Sequence, residues 1–254
     1  MTQKIIAVVN QKGGVGKTTT SINVAAQLAT DKSSVLLIDL DPQGNASSGL
    51  GIAKDQAKQT TYDLLSGEAK LANVVVETNV AQLFVIPANS NLAGAEVELV
   101  NRTKREFALA QAIQATDYDY IVIDCPPSLG LLTINGLTAA NQVLIPVQAE
   151  YYALEGLSQL LNTIQAVKQS TNPHLELLGI VLTMFDKRNS LSEQVEQEVR
   201  NYFGDKLFKT VVPRNVRLAE APSFGKTIYD HDKWSKGARA YKALSREIKL
   251  RLNH

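Results

Sequence analysis

The chain has 254 residues, 44% of them hydrophobic and 20% charged, enough to bury one large core, and no Pro- or Ser-rich linker divides it; a single domain over 1–254 is expected. A formal charge of only +1 excludes nucleic-acid binding through global charge, so any such activity has to come from a local patch. The one cysteine, Cys125, excludes an internal disulfide and an iron–sulfur cluster held by one subunit, and the absence of a signal-peptide core or a membrane-length apolar run points to the cytoplasm.

Residues 5–9 (IIAVV) form a short β-branched run suited to a buried strand, and residues 18–29 carry Ile22, Ala25, Ala26, Leu28 and Ala29 at helical spacing. Between them lies NQKGGVGKTT, so the order is strand, glycine loop, helix. That context makes a phosphate site, because a helix start presents unpaired N–H groups and a positive dipole end to an anion. The ordinary loop, G-x-x-x-x-G-K-[ST], fails here because Gln11 stands where its first glycine belongs. What remains is K-G-G-x-G-K-T, the deviant Walker A signature. Its nucleotide-binding residues are Lys12, Gly13, Gly14, Val15, Gly16, Lys17, Thr18 and Thr19, with Lys17 aimed at the β- and γ-phosphates and Thr18 at Mg²⁺. Lys12 is one lysine more than phosphate binding requires.

Further along, residues 35–38 read as a strand that delivers Asp39 and Asp41. Asp41 is the candidate for orienting an attacking water, and Asp39 is expected nearer the magnesium shell or Lys17. Residues 43–82 have no regular period and are expected to hold loops and short helices. Strands follow at 83–86, 120–123, 143–147 and 178–183. The strand at 120–123 ends in Asp124, a Walker B-like carboxylate able to accept from a Mg²⁺-bound water. Cys125 beside it is read as a small buried residue, because no histidine signature accompanies it and hydrolysis needs no covalent step. Apolar strands alternating with helical segments predict an α/β fold: a mainly parallel twisted sheet with helices on both faces, of the P-loop NTPase type, binding ligand beyond the carboxyl ends of its strands.

The last third of the chain is where local charge collects. Arg188 and Arg217 lie in basic loops, and from Lys226 to His254 eight lysines and arginines face three acids. Tyr241, Leu244, Ile248 and Leu252 recur at helical spacing; the narrow stripe, without Trp or Phe, is expected to dock on the protein's own core.

Taken together, NQKGGVGKTTT, DLDPQGN from Asp39, DCPPSLGLLTINGL from Asp124, PVQAEYYALEGL from Pro146 and VPRNVRLAEAPSFGKTI from Val212 resemble the ParA/Soj family of deviant Walker A ATPases, relatives of MinD and of the nitrogenase iron protein. The resemblance spans nearly the whole chain. It implies a Mg²⁺-dependent ATPase that works on DNA partitioning or chromosome segregation, with weak basal turnover. It implies an ATP-sandwich homodimer in which Lys12 crosses to the partner subunit's nucleotide, making Lys12, Lys17 and Asp41 the catalytic set. Gly13 would lie where the subunits meet, and Pro213 and Asn215 beside the adenine. Magnesium would be held by Thr18, with Asp39 and Asp124 acting through water. Arg188 and Arg217 match residues implicated in non-specific double-stranded DNA binding, and Lys233, Lys236 and Arg239 extend that set from the charge run. A ParB-type centromere-binding partner would stimulate hydrolysis and release the DNA, placing the protein in the cytoplasm, on the nucleoid, without stable membrane association. The alternative is a MinD-like positioning ATPase recruited to the membrane by its last helix; a metabolic P-loop reductase or ligase is a third reading.

Overall fold

The computed structural model describes residues 3–30, 32–53, 57–114, 116–150 and 155–253. The apolar runs form seven strands: β1 (Lys4–Val8), β2 (Val35–Asp39), β3 (Val76–Glu77), β4 (Leu83–Ile86), β5 (Tyr120–Asp124), β6 (Gln142–Gln148) and β7 (Glu176–Thr183). They make one sheet in the order β3-β4-β2-β5-β1-β6-β7, parallel throughout except for the short edge strand β3. The helices are α1 (Lys17–Leu28), α2 (Asn45–Gly49), α3 (Thr61–Ser66), α4 (Leu71–Val74), α5 (Leu92–Leu99), α6 (Ala108–Ala112), α7 (Leu131–Ala139), α8 (Glu155–Ser170), α9 (Ser190–Phe203), α10 (Val216–Glu220), α11 (Ile228–Asp232) and α12 (Lys236–Leu252).

Side chains alternate across a strand, so a sheet covered on both faces needs apolar residues at every position. Strand β5 meets that demand: Ile121 and Ile123 enter one core with Leu132 and Leu137, while Val122 enters the other with Ile22, Leu28, Leu244 and Ile248. The expected stripe on the last helix is therefore part of the second core. Tyr241, Leu244, Ile248 and Leu252 are all buried, and the Tyr241 hydroxyl lies 3.0 Å from the Thr20 hydroxyl of α1.

Register brings the functional strand ends together. Asp124 pairs with Val8 on one side and with Asp39 on the other, so the glycine loop and both acidic strand ends emerge at one edge of the sheet. The irregular stretch 43–82 contains α2, α3, α4 and β3. Helix α3 starts at a capping box, in which Thr60 and Asp63 satisfy each other's backbone N–H groups.

Candidate functional site

The glycine loop is held in shape before any ligand arrives. Gly14 and Gly16 adopt φ of 76° and 87°, a left-handed conformation that side-chain-bearing residues rarely enter, and Gly16 caps α1. Asn10 anchors the loop's entry: its amide donates to the Pro146 carbonyl at 2.7 Å, and its side-chain oxygen accepts from the Lys12 N–H at 3.0 Å. On the other side the Thr183 hydroxyl, at the end of β7, donates to the Val15 carbonyl at 2.7 Å. Val15 is buried, while Thr18 and Thr19 are half-buried at the start of α1.

The two lysines of the loop are disposed differently. Lys17 is 7% exposed and its ammonium donates to the Lys12 carbonyl at 3.1 Å. Burial lowers its pKa, against the pull of the Asp124 and Asp41 carboxylates. Lys12 turns its side chain outward to Glu150 at 3.0 Å, in an ion pair whose partners are each nearly half exposed. Among the described residues Glu150 is the one partner of the Lys12 side chain.

The acidic residues also separate by environment. Asp124 is fully buried; its Oδ1 accepts from the Ser21 hydroxyl at 2.7 Å, the Thr18 hydroxyl also favours its charged form, and its Oδ2 has no hydrogen-bond partner of good geometry among the described residues. Burial first, and then the neighbouring Asp39, push its pKa up. An orphaned buried carboxylate oxygen is costly and calls for a donor or a cation. Asp39 is equally buried, with its pKa raised by the same desolvation, but both its oxygens are engaged. Oδ2 accepts from the Ser47 N–H and hydroxyl at 2.8 and 2.6 Å, and Oδ1 from the Asp41 N–H at 3.2 Å. Asp39 thus pins the 39–47 turn. Asp41, 7% exposed, accepts from the Gln43 N–H at 2.9 Å. Cys125 is buried, its thiol pKa is raised by desolvation, and it packs among core side chains, as read from the sequence.

A cavity of about 330 Å³ opens beside the loop, lined by Gly16 and Thr19 together with Thr183, Met184, Pro213, Asn215 and Tyr241. It brings Pro213 and Asn215, nearly 200 positions away in the chain, to the helix start that follows the glycines. The Asn215 side-chain oxygen is used to cap α10 by accepting from the Arg217 N–H at 2.9 Å. Met184, with φ of 51°, is one of three non-glycine residues in the left-handed region among those described.

A second cavity, about 790 Å³, is lined by Lys187, Arg188, Arg214, Lys236 and Arg239 among others. Three of the five cations singled out from sequence therefore line one groove, and Lys187 and Arg214, which were not assigned, join them. Residues 213–216 form a wall common to both cavities. Arg188 is held by Asp186, with contacts of 3.1 and 2.9 Å. Arg217 and Lys233 lie outside the groove lining: Arg217 pairs with Glu220 at 2.9 Å and Asp232 at 3.8 Å, and Lys233 sits 5.4 Å from the Trp234 ring centroid. Residues 151–154 of the PVQAEYYALEGL motif lie outside the described residues. Sequence reasoning missed Glu150 as the partner of Lys12, although it stood within that motif.

A mainly parallel sheet, a glycine loop capping α1 and carboxylates at the neighbouring strand ends define a P-loop ATPase of the deviant Walker A class. A family model described as an AAA domain matches residues 3–177. The chain is 57% identical over 247 residues to the sporulation initiation inhibitor protein Soj of Bacillus subtilis, covering 96% of this chain and 98% of that protein. It is 56% identical over 250 residues to the chromosome partitioning protein ParA of Myxococcus xanthus, covering 98% and 88%. Among solved structures, a cobyrinic acid a,c-diamide synthase from Mycobacterium smegmatis with bound ADP and magnesium superposes with a TM-score of 0.87 at 38% identity, covering 99% of this chain and 96% of that one. The chain belongs to the ParA/Soj family of chromosome-partitioning ATPases. No helix among the described residues is long and apolar enough to cross a membrane.

Proposed function

We propose that this ATPase is a nucleotide-switched DNA-binding protein. It binds Mg²⁺·ATP at the loop, closes into a homodimer, holds double-stranded DNA without sequence preference, and is released when a ParB-type partner stimulates hydrolysis. Its place is then the cytoplasm, on the nucleoid. The observation that carries the reading is the wall of residues 213–216, which separates a cavity beside the phosphate loop from a groove lined with five cations. Phosphate neutralisation and counterion release provide non-specific affinity, and a dimer presents two such grooves.

The residues of the loop fit Mg²⁺·ATP. Magnesium keeps most of its waters and takes few protein groups besides substrate phosphates. Thr18 and the orphaned Asp124 Oδ2, the latter through water, answer that demand. Bound there, the ion supplies charge neutralisation on the phosphates. Gly13, Gly14, Val15, Gly16 and Thr19 cradle the anion with backbone N–H groups, and Lys17 is the in-subunit cation. Asp41 orients the attacking water. Asp39, expected nearer the magnesium shell or Lys17, fixes the turn that carries Asp41 through its bonds to Ser47 and the Asp41 N–H, and its Oδ1, which takes one bond, has room to accept from a magnesium-bound water as well. Lys12 reaches the partner's nucleotide, and Pro213 and Asn215 flank the adenine.

A MinD-like membrane role has less support, because the apolar stripe that would enter the lipid is buried against α1. The test is binding to unrelated duplexes with no nucleotide, ADP or ATP, each at two salt concentrations. Binding confined to the ATP arm and weakened by salt is expected. Binding indifferent to nucleotide would refute the switch, and ATP-dependent sedimentation with liposomes but not DNA would favour the membrane reading.

A further inference from the structure

The last third of the chain leaves large apolar side chains in solvent, and one of them, Val216, lines the basic groove. Val216, Phe224, Tyr229 and Trp234 are 73%, 64%, 44% and 78% exposed. Trp234 is the only tryptophan in the sequence, and it stands immediately before Ser235, the residue that caps α12. Its position is fixed by Asp232, whose Oδ1 accepts from the Trp234 N–H at 3.1 Å while Oδ2 faces the Arg217 guanidinium at 3.8 Å. The Lys233 ammonium lies 5.4 Å from its ring centroid, and Lys236, two residues on, lines the groove. An indole thus stands next to Lys233 and two residues before the groove cation Lys236, though no phosphate contact requires an aromatic ring.

We infer that Trp234 places its ring against nucleobase faces when DNA occupies the groove, adding an apolar contact to the phosphate contacts. This rests on the DNA reading proposed above. Leaving a large indole in water forgoes the gain of burying it, and the cations around it select a polyanionic partner. Among polyanions, nucleic acid also offers a flat π-surface at every step, so stacking on an aromatic side chain is tolerant of sequence. The face reaches the base either in unpaired strands or at a duplex step opened by an apolar wedge.

The single tryptophan makes the inference directly measurable. The full chain with ATP is titrated with a duplex and with a single strand of the same length, following tryptophan emission and, separately, gel mobility. Emission is expected to change as the complex forms. Trp234→Ala is expected to weaken binding on the order of tenfold, with the slope of log affinity against log salt unchanged, and Trp234→Phe to retain most of the affinity. Lys233→Ala, the comparator, is expected to reduce that slope by about one. Loss on the single strand alone assigns the contact to unpaired bases; loss on both assigns it to an opened duplex step. A shifted complex with unchanged emission, or Trp234→Ala binding like the parent, overturns the inference and leaves the DNA reading standing. A change in emission with anionic vesicles but not with DNA also overturns it. No shifted complex under any nucleotide condition overturns the DNA reading and this inference together.

Discussion

Truncating Lys12 to alanine separates what this side chain does within its own subunit from what it does elsewhere. Within the subunit its only described side-chain contact is Glu150 at 3.0 Å, with the two side chains 49% and 46% exposed. At that distance in water the Coulomb attraction is about 1.4 kcal/mol, and screening plus side-chain entropy reduce exposed pairs to about 0.2–1 kcal/mol. The backbone bonds that shape the loop, Lys12 N–H to Asn10 and Lys17 ammonium to the Lys12 carbonyl, survive the truncation. Melting should therefore fall by no more than about 2–4 °C, and an isolated subunit should bind a non-hydrolysable ATP analogue nearly as before. A cation supplied in trans to a phosphoryl-transfer site contributes about 10³–10⁵ in rate in other NTPases. Partner-stimulated phosphate release should fall by about 10³ or more, and the ATP-dependent dimer should weaken in sedimentation velocity. An unaltered dimer with unaltered turnover would refute the reasoning. So would a loss of subunit nucleotide affinity as large as the loss of turnover, which would put Lys12 to work in cis.

Gly13→Val tests the same interface without removing a charge. A Cβ at Gly13 meets nothing within 4 Å, and its backbone, unlike that of Gly14 and Gly16, does not need the left-handed region; melting should be unchanged while ATP-dependent dimerisation is lost, and a variant that still dimerises would remove Gly13 from the contact. Asp41→Ala should keep ATP binding, slow hydrolysis by at least tenfold and prolong the DNA-bound state, with normal phosphate release counting against its role; each tenfold corresponds to about 1.4 kcal/mol in the barrier. Burial pushes the Asp124 carboxyl up from 3.8 to about 7, so the folded state keeps a proton that the unfolded state has already released. The sign follows: this group's contribution makes the nucleotide-free protein less stable as pH rises through that window. Asp124→Asn should melt higher than the parent at pH 8 by a margin that shrinks toward pH 4, at about 2–4 °C for each kcal/mol recovered. A pH-independent margin in differential scanning calorimetry would count against the buried, proton-holding carboxyl.

How far the sequence could be read depends on how locally each feature is determined. Strands buried on both faces, such as β5, announce themselves as unbroken apolar runs, and the glycine loop needs only ten consecutive residues. The Thr60–Asp63 capping box was equally local, but it opens a helix of only six residues, too short for an apolar period to register against its loop-like surroundings. Roles set by distant partners were harder. Asp39 reads as a neighbour of the magnesium shell or of Lys17 from its place after a strand; the return of Ser47 onto its Oδ2, which also makes it a carboxylate fixing a turn, is not visible in that spacing. The basic groove is assembled from the loop after β7, the segment before α10 and the first turn of α12, so the resemblance and the charge run reach Arg188, Lys236 and Arg239 but give no reason to add Lys187 and Arg214 or to leave out Arg217 and Lys233. The same limit explains Arg217. Its charge and its i,i+3 neighbour Glu220 within α10 are legible, whereas its contact with Asp232 is a property of how α10 and α11 meet. Both pairs neutralise part of the Arg217 charge, so a phosphate contact there would have to compete with two carboxylates. The groove cations Lys236 and Arg239 carry no ion pair among the described residues, so under the proposed DNA reading Lys236→Ala and Arg239→Ala are expected to weaken duplex binding more than Arg217→Ala, and equal losses in a gel-mobility titration would count against that ranking.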